Sequence, residues 1–157
     1  MIRAIAAMDD RRGIARNGVI PWNIPQDKQY FRDQTEGQTI LMGYQTYISF
    51  SDGPLPNRRN YVWCRPGTVL DDGFTAVHDL DEFLEVNPET WIIGGAGLYA
   101  EALQACDELY ITHVDGDFHC DRFFPDITGF EQISNTKPIT ENNFTFNFSV
   151  WEPTVLS

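Results

Sequence analysis

Apolar and polar positions along this chain switch between a strand-like and a helix-like period, and the switches predict its elements. Residues 2–8, Ile-Arg-Ala-Ile-Ala-Ala-Met, form a short apolar run that Asp9 and Asp10 end. The run is too short for a signal peptide and reads as a buried first strand. Residues 9–23 hold Gly13, Gly18 and Pro21 and read as a loop. Pro25 opens a helical pattern over 25–35, where its missing N–H would have no partner in any case. Thr39–Gly43 is a strand ending in glycine. A short helix over 44–50 and the turn cluster Asp52-Gly-Pro-Leu-Pro-Asn57 follow it.

Further strands are predicted over 60–64, 74–77, 90–93 and 108–114. Asp79, with Glu82 three residues on, has the spacing of a capping box and starts a third helix. Gly94-Gly-Ala-Gly97 leads into a fourth, expected to run to about Ala105. The alternation Phe144-Thr-Phe-Asn-Phe-Ser-Val-Trp151 predicts antiparallel strands near the C-terminus. Strands alternating with helices imply an α/β fold: a mostly parallel central sheet flanked by helices, closed by a C-terminal antiparallel hairpin. No linker, repeat or low-complexity tract interrupts the pattern, so residues 1–157 are expected to form a single domain.

Composition narrows the function. At 157 residues and 42% hydrophobic, the chain can bury a sizeable core. A net charge of −12 and a pI near 4.4 speak against nucleic-acid binding, which needs basic stripes. No apolar stretch has the length of a membrane span. Cys64, Cys106 and Cys120 are odd in number and lack metal-ligand spacing. They read as free thiols in a reducing cytoplasm, with no metal. Asn143-Phe-Thr and Asn147-Phe-Ser match the glycosylation pattern by chance if no secretion signal is present.

The candidate chemistry centres on Pro21-Trp-Asn-Ile-Pro-Gln-Asp27-Lys-Gln-Tyr-Phe31. One carboxylate, Asp27, falls in the first helical turn among Trp22, Tyr30 and Phe31. Taken alone it reads as a helix-terminus acid favoured by the macrodipole. In an apolar, aromatic pocket, however, a lone acid is costly unless a charged or hydrogen-bonding partner meets it. That suits a flat, nitrogen-rich heterocycle able to carry a proton. Ligands of open α/β sheets bind at the carboxyl ends of strands. Gly94-Gly95, after a strand and before a helix, lets a ligand approach the backbone and leaves N–H groups for an anion such as a pyrophosphate.

Several stretches in order carry a resemblance: Ile5-Ala6-Ala7, Asn17-Gly18-Val19-Ile20-Pro21-Trp22, Pro25-x-Asp27-x3-Phe31, Met42-Gly43-x-x-Thr46-Tyr47, Pro54-Leu55-Pro56-Asn57-Arg58-x-Asn60, Ile92-Ile93-Gly94-Gly95-Ala96-x-x-Tyr99, Leu109-Tyr110-Ile111-Thr112 and Asp121-x-x-Phe124-Pro125. In this order and spacing the chain resembles the dihydrofolate reductases of the bacterial chromosomal type over nearly its whole length. The resemblance implies reduction of 7,8-dihydrofolate to 5,6,7,8-tetrahydrofolate by NADPH, in support of one-carbon and thymidylate metabolism. It also implies a monomer with antifolates among its ligands.

The resemblance further implies residue roles. Asp27 would bond the pterin and favour protonation of the imine nitrogen, with Thr112 bonded to Asp27 and Trp22 helping to hold the proton-delivering water. Ile5, Ala6, Lys28, Phe31, Phe50, Leu55, Ile93 and Tyr99 would line the substrate site, and Arg58 would pair with the substrate's α-carboxylate. Ala7, Ile14, Ala15 and Ile20 would border the nicotinamide. The rest of the cofactor would lie along Gly43, Tyr44, Gln45, Thr46, Cys64, Arg65, His78, Ile93, Gly94, Gly95, Ala96, Gly97, Leu98 and Tyr99, with Thr46 and Gly94–Gly97 at the pyrophosphate. Loop 9–23 would be a lid that meets Asp121.

The chain departs from the family pattern at three places. Tyr44 and Leu98 are neutral where relatives carry basic residues, which leaves Arg65 and His78 to read the 2′-phosphate and implies a modest preference for NADPH over NADH. Lys28 replaces an apolar residue. Ala15 replaces a frequent lid glycine. Two rivals are a same-fold reductase of riboflavin synthesis, which lacks the Trp22, Asp27 and Phe31 pocket, and a folate- or nucleotide-binding protein without turnover.

Overall fold

The fold follows from the strand pattern. In the computed structural model, which describes residues 1–50 and 52–155, the chain runs β1 (Arg3–Met8), β2 (Gly13–Ala15), α1 (Pro25–Thr35), β3 (Thr39–Gly43), α2 (Tyr44–Ser49), β4 (Arg59–Trp63), β5 (Phe74–Val77), α3 (Leu80–Val86), β6 (Thr90–Ile92) and α4 (Ala96–Ala102). A 3-10 turn over Leu103–Ala105 leads into β7 (Glu108–Val114), β8 (Arg122–Phe123), β9 (Phe130–Asn135), β10 (Ile139–Glu141) and β11 (Phe144–Pro153).

The main sheet has the order β10-β11-β7-β1-β6-β3-β4-β5, with β9 on β11. From β7 to β5 every neighbouring pair is parallel, whereas β11 runs antiparallel to β7, β9 and β10. The expected mixed α/β sheet with an antiparallel C-terminal hairpin is therefore present. Side chains of a strand alternate between its two faces. Ile40 and Met42 join Ile5, Tyr47 and Val62 on one face, where Tyr30 and Phe31 of α1 pack. Leu41 joins Ala4, Met8, Ile92, Leu98 and Tyr99 on the other. Strands buried on both faces must read as apolar runs, and these do.

The structure differs from the predicted elements at three points. Loop 9–23 contains a strand, β2, that pairs antiparallel with β8. Its tip is a hairpin in which Arg16 and Val19 exchange backbone hydrogen bonds at 2.8 and 3.0 Å. Asn17 and Gly18 occupy the turn with φ of 51° and 79°. Two central residues at positive φ favour Asn-Gly, a signal present in the sequence but masked by the short flanking strand. The fourth helix ends at Ala102 in a 3-10 turn instead of continuing, and the last predicted strand residue before it, Ile93, lies just past β6. The third helix is capped as foreseen, Asp79 Oδ1 accepting from the Glu82 N–H at 3.1 Å.

β2 is held by a buried carboxylate. Asp9, 1% exposed, accepts from the N–H groups of Arg11, Gly13 and Phe118 at 2.9, 2.7 and 3.1 Å. Burial disfavours its charge, but these donors together bring its pKa below the usual carboxylate value. Gly13 sits hard against this carboxylate. A Cβ there would come 2.5 Å from Cys120 Cβ, 2.7 Å from Cys120 Sγ and 2.8 Å from Asp9 Oδ1. Gly13→Ala is expected to lower stability by about 1–3 kcal/mol, the scale of overpacking, read by urea denaturation. Adding Cys120→Gly should restore part of the loss. A single variant as stable as the parent would mean that β2 is not clamped here.

Candidate active site

The carboxyl ends of β1, β3, β4 and β6 open into one long cleft of about 1930 Å³. A single small-molecule pocket is roughly 300–1,000 Å³, so this groove has room for two ligands end to end. Its position follows from topology. The chain leaves β1, builds β3 to β5 on one side, returns to insert β6 between β1 and β3, and then crosses to β7. Such a change of direction leaves a crevice above the strand ends.

One end is built on α1 and β7. Ile24 starts α1 without a side-chain cap, with Pro25 in the first turn and Asp27 following it. Asp27 faces Thr112, which β7 carries opposite Ala7 of β1. Thr112 is 2% exposed and its hydroxyl donates to Asp27 Oδ1 at 2.6 Å. No cation lies within ion-pair distance of Asp27 among the described residues. Burial pushes its pKa above the ordinary aspartate value, against the opposing pull of the Thr112 hydrogen bond. The result is a half-buried acid with a free flank in an otherwise apolar wall.

Around it, Ile5, Ala6, Lys28, Phe31, Phe50, Leu55, Ile93 and Tyr99 all border the cleft, as does Arg58. The buried Tyr99 donates its hydroxyl to the Ile5 carbonyl at 2.6 Å, fixing β1 against α4. Arg58 is held in place by three bonds: Nε to Thr35 Oγ1 at 2.9 Å, Nη1 to the Pro56 carbonyl at 2.6 Å and Nη2 to the Arg32 carbonyl at 3.4 Å. Burial and the neighbouring Arg32 lower its pKa, Glu36 opposing them.

The other end is glycine-lined. Gly94 adopts φ 124°, a backbone state open to glycine and strained for other residues. A Cβ at Gly95 would lie 3.3 Å from Thr46 Oγ1. The Gly43 N–H donates to the Gly94 carbonyl at 2.7 Å, joining the ends of β3 and β6. This bare backbone and the Thr46 hydroxyl make a cradle that side chains would fill. Ala7, Ile14, Ala15 and Ile20 border the cleft between the two ends. Tyr44, Gln45, Cys64, Arg65, His78, Ala96, Gly97 and Leu98 line it with Gly43 to Thr46 and Gly94–Gly95. Arg65 and His78 are exposed, and a His78 ring nitrogen meets the Cys64 carbonyl at 2.8 Å.

One named residue stands off the cleft. Trp22 is buried, edge-on to Phe118 with ring centroids 5.2 Å apart, in a cluster with Ile24, Val114 and Phe146. Tyr30 stacks on Phe148 with ring centroids 4.1 Å apart. Sequence reading missed Arg32, Ser49, Trp63, Thr68, Val69 and Arg122 on the cleft wall, and Asn17 and Gly18 at the lid tip. The i, i+4 spacing of Lys28 and Arg32 was the available signal for one of them. Asp121, expected to meet the lid, accepts from the Asn17 N–H at 3.0 Å. The three cysteines are free.

Fold and cleft define an α/β enzyme of the nucleotide-dependent kind, with one groove long enough for two ligands. The family model of dihydrofolate reductase matches residues 1–153. Dihydrofolate reductase of Bacillus subtilis is 34% identical, covering 97% of this chain and 94% of that protein. The enzyme of Mycobacterium tuberculosis is 41% identical over 73% of this chain and 72% of its own length. A solved structure of dihydrofolate reductase from Enterococcus faecalis, complexed with NADP(H) and RAB-propyl, superposes with a TM-score of 0.88 at 27% identity, covering 99% of this chain and 97% of that one. The chain belongs to the dihydrofolate reductase family, in its bacterial form.

Proposed function

We propose that the cleft residues divide the reduction of 7,8-dihydrofolate to 5,6,7,8-tetrahydrofolate by NADPH as follows. Asp27, steadied by Thr112, accepts hydrogen bonds from the pterin ring and its amino group. Its negative charge in a desolvated wall favours the substrate form protonated at the imine nitrogen. NADPH supplies the hydride when bound. The carbon of the C=N bond takes the hydride, the nitrogen keeps the proton, and oxidised cofactor leaves. Phe31, Phe50, Leu55 and Ile5 hold the pterin and aminobenzoate rings and exclude water. Arg58, pre-oriented by Thr35 and Pro56, presents its free edge to the α-carboxylate. Trp22, behind the cleft wall, bounds the path of the proton-carrying water.

The glycine cradle fits a dinucleotide pyrophosphate. Gly94–Gly97 and Thr46 would hold it, with Ala7, Ile14, Ala15 and Ile20 around the nicotinamide. The observation that carries the reading is Asp27 itself: an unpaired, half-buried carboxylate bonded to Thr112 at the end of a two-ligand groove. The test is the loss of NADPH absorbance with dihydrofolate present. No turnover would favour the reading of a binding protein. No helix among the described residues is long and apolar enough to cross a membrane. We read the protein as a single 1–157 domain, acting in the cytoplasm as a monomer, with antifolates competing for the Asp27 end.

At the adenosine end, Tyr44, Gln45 and Leu98 contribute no charge, so Arg65 carries the reading of the 2′-phosphate. Arg65→Ala is expected to cut the kcat/KM preference for NADPH over NADH about tenfold, a modest value because the site is solvent-screened. An unchanged ratio would assign that phosphate to another residue.

A further inference from the structure

Asp27 rides on a helix that buries little of itself. Within α1 only Thr35, at the far end, is fully buried. Ile24 is buried just before the helix but supplies no side-chain cap. The seat of Asp27 over β7 therefore depends on a few contacts of the first turns. Thr112 Oγ1 donates to Asp27 Oδ1 at 2.6 Å. Glu141 Oε1 accepts from the Gln26 N–H at 2.8 Å. The third contact is aromatic: Tyr30 lies on Phe148 with ring centroids 4.1 Å apart and planes 21° from parallel.

These residues form a closed bracket. Asp27 and Tyr30 are three positions apart on α1 and so share one face of it. Thr112 and Phe148 are directly opposite each other in the antiparallel pair of β7 and β11, which sets their side chains next to each other on one face of the sheet. Asp27 meets the first of that pair and Tyr30 the second. Asp27 and Thr112 border the cleft, whereas Tyr30 and Phe148 stand off it. Burial, with the nearby charges of Tyr110 and Asp27, pushes the Tyr30 hydroxyl up to about 12. Tyr99 of α4, which also feels Asp27, is raised by its burial as well. Both phenols therefore stay neutral near pH 7, and Asp27 is the group of the bracket that titrates.

We propose that Tyr30 and Phe148 are positioning residues for the reaction: their stack fixes α1 over β7 and β11, holds the Asp27–Thr112 pair together and keeps water from its rear. This rests on the reading of the cleft given above, in which Asp27 acts on the pterin. A helix turn seated by one hydrogen bond can pivot about it. A second contact one turn along removes that freedom, and two stacked rings resist both sliding and tilting. The demand for such a contact is set by the chemistry, because a misplacement of about 1 Å in a reacting group can cost roughly a hundredfold in rate.

The test compares Tyr30→Leu, Phe148→Leu, their double variant and Tyr30→Phe with the wild-type protein. Three readouts are taken: single-turnover hydride transfer at pH 7, KM for NADPH, and the Asp27 carboxyl titration followed by carbon NMR without ligands. Each Leu variant should lose hydride transfer about ten- to a hundredfold with the NADPH KM unchanged. The double variant should lose no more than either single one, because both break the same contact. Burial raises the Asp27 pKa above 3.8, so admitting water should move its titration down toward that value in the Leu variants. Tyr30→Phe, which keeps the ring, should rescue rate and titration together. Wild-type rate and titration in the Leu variants, losses that add in the double variant, or an equal loss in Tyr30→Phe would overturn the bracket. So would a loss of NADPH affinity as large as the loss of rate, which would make the pair a packing contact alone. A wild-type protein that does not reduce dihydrofolate would instead overturn the reading of the cleft, and the titration would still decide the bracket.

Discussion

Asp27→Asn should lose most hydride transfer near neutral pH while gaining stability. The amide keeps the shape and a hydrogen bond with Thr112 but removes the charge that favours the protonated imine. The rate should recover in part as pH falls and the substrate protonates unaided. Stability moves the other way. Burial raises the Asp27 pKa in the folded protein above its ordinary value of 3.8, so the native state holds this proton more tightly than the unfolded chain does. The stability tied to that proton is fully present below pH 3.8 and is lost as pH rises through the raised native value. The ligand-free Asn variant, which lacks this loss, should melt above wild type at pH 7. The two should converge in acid. Single-turnover rates from pH 5 to 8 and melting curves from pH 3 to 7 read both effects. Normal turnover at pH 7 would remove Asp27 from the mechanism, and a lower melting temperature at pH 7 would mean that its charge stabilises the fold.

Arg58→Leu should weaken dihydrofolate binding by about 1.5–3 kcal/mol, the range for hydrogen bonds to charged groups. The guanidinium is already aimed by Thr35, Pro56 and Arg32, so little ordering offsets what is lost. A pterin substrate without the glutamate tail should be hardly affected. Equal losses for both substrates would place Arg58 outside the carboxylate site and make its effect one of packing between α1 and β4.

The alternation of apolar runs and punctuating Gly, Pro and Asp residues determined the strands and helices by itself. Residues 25–35, 39–43, 74–77 and 108–114 are found where the pattern places them. These segments are buried on one or both faces, so local periodicity and burial say the same thing. Most of the residues expected at the cleft came from the resemblance to the dihydrofolate reductases; the strand-end rule by itself pointed only to the ends of β1, β6 and β7. Tertiary structure alone decided the rest. β2 exists only because β8, far along the chain, supplies its partner, and three residues carry too little periodicity to announce it. Gly13, read as part of a loop, is instead in a strand where a side chain would collide with Asp9 and Cys120. Trp22 lies close to Asp27 in sequence but off the cleft in space, where Phe118 of the loop after β7 and Phe146 of β11 cover it.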